Sequence, residues 1–441
     1  MNIVFLGILI ALTYYAYQIS RKDFLSPWFV LCLMFLCVFN IVLLNKTSWN
    51  VKFSKYSIFL ITLSLLMWGI GGGIVSFRDF RIMQCEDKKL YQRLRGTYPA
   101  TLIFFVSCIC TFLYVLLQLK EINIESGITA GIRQIYENAI NNTSGNFFKN
   151  QLLEIVIAST YISIYRIFIK IFILKKEDHV KYPILLMPIF FFFIAIIFST
   201  DRNKFIRICI YISVLFVFFI RQQQLKNVNF TIVRKMILLM IIVLICFYIL
   251  GKTKQYKSNF FNSLSIYSGS GLNNLNIFID EHPFGKVNTG DSGTFYSIQN
   301  VLAQLGIISK SSFSRFDEFI TFQTKSGYTY ASNVYTALKT YFYDYGVLGL
   351  IIFPFISGMI YEYFYRHVNQ KKLGFSCVLY ASLLYPIVYY PIAEQMFNRM
   401  HLGLIYEIFW LTSLFYIIYG KYGIWRFHTP KYFIQRQKFL K

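Results

Sequence analysis

The chain has 441 residues, of which 56% are hydrophobic, and its mean hydropathy is +0.50. A composition this apolar excludes an ordinary soluble enzyme. The formal net charge of +24 suggests nucleic acid at first, but the basic residues concentrate in loops between apolar runs, as they do in membrane proteins.

Apolar runs of about 17 to 22 residues recur along the chain, and this is the length that a helix needs to cross a bilayer. The sequence therefore predicts an all-α polytopic membrane protein with about eleven transmembrane helices. The runs lie near 2–18, 27–45, 57–77, 99–119, 151–173, 182–200, 206–220, 236–250, 347–365, 374–392 and 402–420. The first run lacks a basic segment before it and a small-residue cleavage site, so we expect a span and not a cleaved signal.

These runs divide the chain into four parts. Residues 1–250 are expected to form a transmembrane bundle of about eight helices, and residues 251–345 a long polar loop outside the membrane. Residues 346–420 are expected to form three further spans, followed by a basic tail at 421–441. The long loop contains no cysteine, so packing and not disulfides would hold it.

Lys and Arg are distributed unevenly between alternate loops. The loops of one parity, from Arg21-Lys22 to the tail after Gly420, carry more than twice as many as the loops of the other parity. Because basic residues accumulate on the cytoplasmic side, the richer set is predicted to be cytoplasmic. The N-terminus and the long loop would then lie outside, and the C-terminus inside.

The connection from Thr200 to Arg207 breaks this rule, because Arg202, Lys204 and Arg207 fall in or beside a very short outer turn. A pyrophosphate bound at the outer surface would explain it, since Arg offers planar bidentate hydrogen bonds to phosphate oxygens. A miscounted pair of spans, which would place the turn in the cytoplasm, is the other explanation.

A few charged residues and one glycine run lie inside predicted spans. Glu407 is expected to pair with a donor from another helix, and Glu154 is a candidate to face an outer cavity. Arg166 and Lys170, one helical turn apart, are expected to extend toward the cytoplasm. The run Gly71–Gly73 predicts a surface where two helices pack closely.

Within the long loop, the sequence predicts a turn at Ser268–Gly271 and then two short helices, Thr294–Leu305 and Ser314–Thr324. A third helix is expected from about Ser332, continuing into the span at Val347. These pieces are too short and too aromatic to form a core of their own, so we expect them to cover the outer mouth of the bundle.

Titratable residues cluster beside a turn in the same loop. A general base for a hydroxyl group needs a carboxylate or an imidazole within hydrogen-bond reach, and Asp280, Glu281 and His282 all qualify. The sequence does not rank them, and solvated loop charges are the alternative interpretation. The five histidines are scattered and no zinc-binding spacing is present, so no protein-bound metal is expected.

The stretch SNVYTALKTYFYDYGVLG, from Ser332 to Gly349, leads straight into a span. It resembles the signature of Wzy-type polymerases of O-antigen and capsule repeat units. The Asp-Arg-Asn-Lys turn at 201–204 before a large outer loop is similar to that family too, as are Pro283–Lys286 and Thr289–Gly293. The architecture of the whole chain fits the resemblance, and its motifs cover about forty residues.

The resemblance implies a metal-independent glycosyltransferase of GT-C-like fold in the bacterial inner membrane, with no cofactor. Such enzymes polymerise glycan repeat units carried on undecaprenyl pyrophosphate at the outer face. A flippase and a chain-length regulator are the implied protein partners, besides membrane lipid, and nucleic acid is not a partner. Arg202 would bind pyrophosphate. The residues matching the pre-span signature are Asn333, Tyr335, Asp344, Gly346 and Gly349.

The residues and the resemblance together give a predicted site. Acid or base catalysis is assigned to His282, Glu281 or Asp344. Cationic groups would stabilise the charge that develops on the leaving pyrophosphate without a metal. The residues predicted to contact pyrophosphate or substrate are Arg202, Lys204, Lys286, Arg315, Asn333 and Tyr335.

Two alternative functions stay open at this point. One is an O-antigen ligase, although related ligases often have His-Asn where this chain has Ser332-Asn333. The other is a polysaccharide flippase or transporter, which the odd number of spans, the lack of a two-fold repeat and the long loop disfavour.

Overall fold

The computed structural model describes most of the predicted bundle and about two thirds of the predicted loop. The described residues are 1–76, 97–120, 147–174, 180–199, 203–222, 260–285, 293–308, 320–323, 329–332, 334–370, 374–397 and 402–419, with the isolated positions 131, 135, 234 and 238. Nearly all of them are helical, and the core between the helices is filled by aromatic and branched aliphatic side chains.

The described helices follow the apolar runs closely. They are α1 (Asn2–Ile19), α2 (Pro27–Leu44), α3 (Lys55–Ser76), α4 (Thr97–Leu119), α5 (Phe147–Ile169, continued by a π-turn at Lys170–Leu174), α6 (Tyr182–Ser199), α7 (Asn203–Gln222), α8 (Phe260–Glu281), α9 (Tyr296–Gln304), α10 (Ala337–Gln370), α11 (Phe375–Leu383), α12 (Tyr385–Tyr389) and α13 (Leu402–Tyr419). Strands β1 (Ile320–Gln323) and β2 (Thr329–Ser332) lie between α9 and α10.

Eight of these helices, α1 to α7 and α10, are long and apolar enough to cross a membrane. The chain is therefore a polytopic membrane protein, as its composition predicts. The apolar helices Phe375–Tyr389 and Gly403–Tyr419 are shorter. The predicted span at 236–250 lies outside the described residues, so the total of eleven spans stays a prediction.

The most extensive contact between two elements joins α3 and α10, and glycines make it possible. A Cβ on Gly71 would lie 2.1 Å from the carbonyl oxygen of Phe355, and one on Gly358 would lie 2.1 Å from that of Trp68. The two backbones meet where side chains would keep them apart. The predicted packing surface is confirmed at Gly71, whereas the space beside Gly73 is open.

Helix α10 has 34 residues and is kinked at Gly346, where φ is 58° and ψ is −144°. An L-residue is strained in this conformation and glycine is not. The kink separates a first arm, Ala337–Tyr345, from the spanning arm that ends at Gln370. The predicted helix from the long loop into a span is therefore present, but its predicted start at Ser332 is wrong, because Ser332 ends strand β2 and the helix begins at Ala337.

Two further local predictions in the long loop are wrong. Ser268–Gly271 is not a turn but lies within α8. There the Cα of Gly271 packs so tightly that a Cβ would lie 3.0 Å from the Ile392 carbonyl oxygen, so tertiary packing overrides the low helix propensity of glycine. The end of the predicted helix 314–324 is strand β1, which pairs antiparallel with β2; residues 314–319 lie outside the described part of the chain.

Helix α8 is fastened to the connection before α3 by one amide side chain. Asn276 accepts a hydrogen bond from the Ser54 backbone at 3.1 Å and donates one to the Lys52 carbonyl at 3.0 Å. The side chain of Asn2 donates to the Val51 carbonyl at 3.2 Å. The start of α1, the start of α3 and the end of α8 thus meet at one end of the bundle, which we call the loop end.

The α3–α10 crossing predicts different outcomes for the same substitution at two nearby glycines. We expect Gly71→Ala to destabilise the protein by about 1–3 kcal/mol or more, because its Cβ meets a backbone oxygen that cannot move aside. Gly73→Ala has open space and should be neutral or slightly stabilising. Thermal unfolding in detergent measures both, and equal melting temperatures would contradict the crossing.

Candidate functional site: a buried arginine cluster at the loop end

Polar side chains from several helices meet inside the bundle at the loop end. We call this group the Arg207 cluster. Its members are Asn203 and Arg207 on α7, Tyr267 on α8, Tyr385 and Tyr389 on α12, Gln395 after α12, and Glu407 on α13.

At its centre is a buried ion pair between two helices, α7 and α13. Nη1 of Arg207 lies 3.3 Å from Oε2 of Glu407, and their side chains are 6% and 3% exposed. Nη2 of Arg207 donates to the Tyr385 hydroxyl at 3.0 Å, and the guanidinium carbon lies 4.1 Å from the centre of that ring. The prediction that Glu407 pairs with a donor from another helix is confirmed. Pairing is expected for charges so deeply buried, since an isolated one would be costly.

The long loop at 251–345, which we call the excursion from here on, reaches this cluster through α8. The hydroxyls of Tyr267 and Tyr389 both donate to the side-chain oxygen of Asn203, the first residue of α7. Arg202 lies outside the described residues, but the residue that follows it is thus covered by a helix from the predicted loop. Lys204 is half-buried on the first turn of α7.

The positions of Lys204 and Arg207 on α7 favour an anion beside the start of this helix. Lys204 and Arg207 lie in the first turns of a 20-residue helix, where the helix dipole already places partial positive charge and disfavours further cations. Glu407 already supplies an anion to Arg207, so a further anion beside this helix end would be stabilised by the backbone N–H groups and by Lys204.

A second buried cation lies between α8 and the first arm of α10. The ammonium of Lys339, a residue 5% exposed, lies 4.5 Å from the ring centre of Tyr335 and 5.1 Å from those of Phe278 and Tyr343. Attraction to the ring faces offsets part of the cost of burying the charge. The predicted substrate contact Tyr335 is therefore turned toward Lys339.

His282 borders the same group of rings. Its backbone N–H donates to the Phe278 carbonyl at 2.9 Å, and its imidazole centre lies 5.0 Å from the Phe278 ring centre. The side chain is half-buried, whereas Asp280 and Glu281 are exposed. Among the three candidate bases of the 280–282 cluster, His282 is thus the one held in a fixed environment.

Asp344 fastens two segments of the excursion together. Its carboxylate accepts hydrogen bonds from the Gly293 backbone at 3.2 Å, the Thr294 backbone at 2.8 Å and the Thr294 hydroxyl at 2.6 Å. Asp344 is 3% exposed. Hydrogen bonds to an ionised acceptor are strong, so the geometry favours an anchoring role for Asp344 over proton transfer.

Helix α8 also holds the strand that leads into α10. The hydroxyls of Ser270 and Ser332 lie 2.9 Å apart, and the Asn274 amide donates to the Val334 carbonyl at 2.9 Å. Of the predicted site residues, His282 contacts the ring of Phe278, Tyr335 contacts Lys339, and Lys204 belongs to α7. The predicted site residues outside the described part of the chain are Arg202, Lys286, Arg315 and Asn333.

Sequence reasoning missed Glu394, which organises the break between α12 and α13. One of its oxygens accepts from the Tyr341 hydroxyl at 2.9 Å and from the backbone of Met396 and Phe397 at 2.8 Å each. The adjacent polar pair Glu394-Gln395 in apolar sequence was the available signal.

Comparisons of the chain with protein-family models, with curated proteins and with solved structures found no significant match in any of the three. Among the residues that the structure describes, no group of three or more His, Cys, Asp or Glu is arranged to hold a metal ion.

The Arg207–Glu407 pair predicts a strong coupling energy. Arg207→Ala and Glu407→Ala should each cost about 3–5 kcal/mol of stability, because each leaves an uncompensated buried charge. The double variant should lose clearly less than the sum. Unfolding of the four proteins in mixed micelles measures the cycle.

A second ion pair provides the matched control. Arg366 and Glu362 lie one turn apart on α10, and Nε of Arg366 is 2.9 Å from Oε1 of Glu362. Their side chains are 30% and 16% exposed. Because this pair is partly solvated, Arg366→Ala should cost about 1 kcal/mol or less. Equal losses for Arg207→Ala and Arg366→Ala would show that burial of the Arg207 pair contributes nothing.

The anchoring role of Asp344 predicts that Asn cannot replace it. Asp344→Asn would put an amide NH₂ opposite one of the donors on Gly293 or Thr294, so its loss of stability should approach that of Asp344→Ala, about 1–3 kcal/mol. Limited proteolysis of the excursion measures the loosening. A fully stable but inactive Asn variant would instead indicate proton transfer.

Proposed function

We propose that this protein is a polymerase of lipid-linked glycan repeat units in the bacterial inner membrane. It transfers a growing glycan from undecaprenyl pyrophosphate to the sugar end of a second lipid-linked repeat unit. The single observation that carries the proposal is the Arg207 cluster, a buried ion-paired and aromatic site between apolar helices and a polar excursion.

The substrate chemistry matches this placement. A polyprenyl tail stays in the bilayer, so the pyrophosphate that it carries is presented at the membrane surface. The apolar helices would contact the polyprenyl tail, and the cations at the start of α7 would bind the phosphates. Arg202 and Lys204 would stabilise the leaving pyrophosphate as its negative charge develops, whereas the charge of Arg207 is already balanced within the protein. Glu407 holds the Arg207 guanidinium in place.

The transfer needs a general base within hydrogen-bond reach of the acceptor hydroxyl. This base removes the proton from the acceptor hydroxyl, and the hydroxyl oxygen then forms a bond to the anomeric carbon of the donor sugar. The bond from that carbon to the phosphate oxygen breaks, and undecaprenyl pyrophosphate leaves with the electron pair. Half-burial and the contact with Phe278 favour His282 over the exposed Glu281 and the anchored Asp344. His282 nevertheless follows Tyr267, the α8 contact of the Arg207 cluster, by about 22 Å along the helix. A leaving group held at the Arg207 cluster therefore requires a base other than His282.

The proposal places the loop end outside the cytoplasm. At the opposite end, the hydroxyl of Tyr365 bonds to Asp23 and that of Tyr380 to the Leu25 carbonyl, so the α1–α2 connection and the end of α10 lie together. That end carries the basic residues Arg21, Lys22 and Arg366, which the positive-inside rule assigns to the cytoplasm.

A deletion strain provides the test of the proposal. The strain should lose the ladder of long surface glycans, and the wild-type gene should restore it. Arg202→Ala should reduce polymerisation by about 10²–10³-fold, because a charge-stabilising donor is lost. Surface glycan is measured by gel electrophoresis, with protein level monitored by immunoblot.

Arg21→Ala is the matched control, because it removes the same side chain from the opposite end of the bundle and should leave the ladder unchanged. A ladder that persists in the deletion strain, or that the Arg202→Ala gene restores in full, would contradict the proposal. Normal polymers that fail to reach the lipid A core would indicate a ligase.

A further inference from the structure

One aromatic side chain of the excursion faces away from the protein. Phe284 follows the end of α8 and is 81% exposed, whereas Phe278 on the same helix is 1% exposed. A single exposed apolar side chain is ordinary at a protein surface, so its role depends on the surface that it borders.

The turn that carries Phe284 is joined to a membrane-spanning helix. The hydroxyl of Tyr56, in the first turn of α3, donates to the Pro283 carbonyl at 3.0 Å. Tyr56 also begins the exposed stripe of α3, at helical spacing along one face. The stripe consists of Tyr56, Phe59, Leu66, Ile70 and Ile74.

This stripe is the lipid-facing side of α3. The helix is long and apolar enough to span a bilayer, and its Gly71 side packs against α10. The stripe therefore faces the hydrocarbon, and its last aromatic residues, Phe59 and Tyr56, approach the membrane surface. Tyr56 donates to the carbonyl of Pro283, the residue before Phe284, so Phe284 lies beside the Tyr56 end of the stripe.

The backbone holds Phe284 in this outward position. Gly285 has φ +74°, and a Cβ there would lie 2.3 Å from the Phe342 carbonyl oxygen. Its N–H donates to the His282 carbonyl at 3.0 Å. The turn is thus pressed onto the first arm of α10 at Gly285, which leaves the preceding side chain no place in the core.

We propose that the Pro283–Gly285 turn is a membrane-interface anchor, with the ring of Phe284 inserted among the lipids at the depth of Tyr56. Aromatic rings are favoured at the boundary between headgroups and acyl chains. The occupant is lipid and not protein, because the surface is continuous with the lipid-facing stripe of α3. The anchor holds His282 at the level of the lipid phosphates, and it does not depend on the proposed glycosyl transfer.

Photocrosslinking in the full-length protein tests this anchor. A benzophenone-bearing phenylalanine replaces Phe284, and separate proteins carry it at Phe59 and at Lys52. Phe59, 58% exposed on the stripe, is the lipid-facing reference, and Lys52, an exposed charged residue at the loop end, is the solvent reference. The proteins are irradiated in lipid nanodiscs and in whole membranes, and the adducts are identified by mass spectrometry.

We expect lipid adducts at position 284 comparable to those at 59 and at least about fivefold above those at 52. Adducts dominated by a second copy of the chain or by another protein, or a lipid yield no higher than at 52, would overturn the proposal. A Phe284→Trp variant provides a second measurement. Its added fluorescence should be quenched by headgroup-labelled nitroxide lipid, and absence of quenching would also overturn the anchor.

Discussion

The fold depends on a guanidinium buried among apolar helices. Arg207 is neutralised by Glu407 from a helix 200 positions away in the chain and is covered by the ring of Tyr385. A charge at this depth is costly unless it is paired and hydrogen-bonded. Its neighbours α7, α12 and α13 must therefore keep their relative positions, and this fixed frame is what a site for a charged leaving group requires.

The excursion is fitted to this frame by polar side chains. Tyr267 joins α8 to the start of α7, Asn276 joins it to the connection before α3, and Asp344 joins α10 to the segment before α9. In each contact a side chain forms a hydrogen bond with a group at the start of a helix or in the connection before one. The excursion thus belongs to the same packing unit as the helices that it contacts.

The spanning helices were predictable because the length of an apolar run is enough to specify them. The close packing at Gly71 and the pairing of Glu407 were predictable because each residue interrupts an apolar run. The rest depends on contacts between distant segments. Glycine and serine in α8 predict a turn, but Gly271 is there because the backbone of Ile392 packs too close to it for a larger side chain. Likewise Lys339 has no sequence signal, since its surrounding rings include Phe278 from another helix.

The central claim is that these helices and their excursion carry out glycosyl transfer on lipid-linked substrates. Its most direct test uses the purified full-length chain in nanodiscs, supplied with undecaprenyl-pyrophosphate-linked repeat units and no metal or nucleotide sugar. The account predicts products of increasing length, together with release of undecaprenyl pyrophosphate. Repeat units that stay at their original length, under conditions where the protein remains folded, would contradict it.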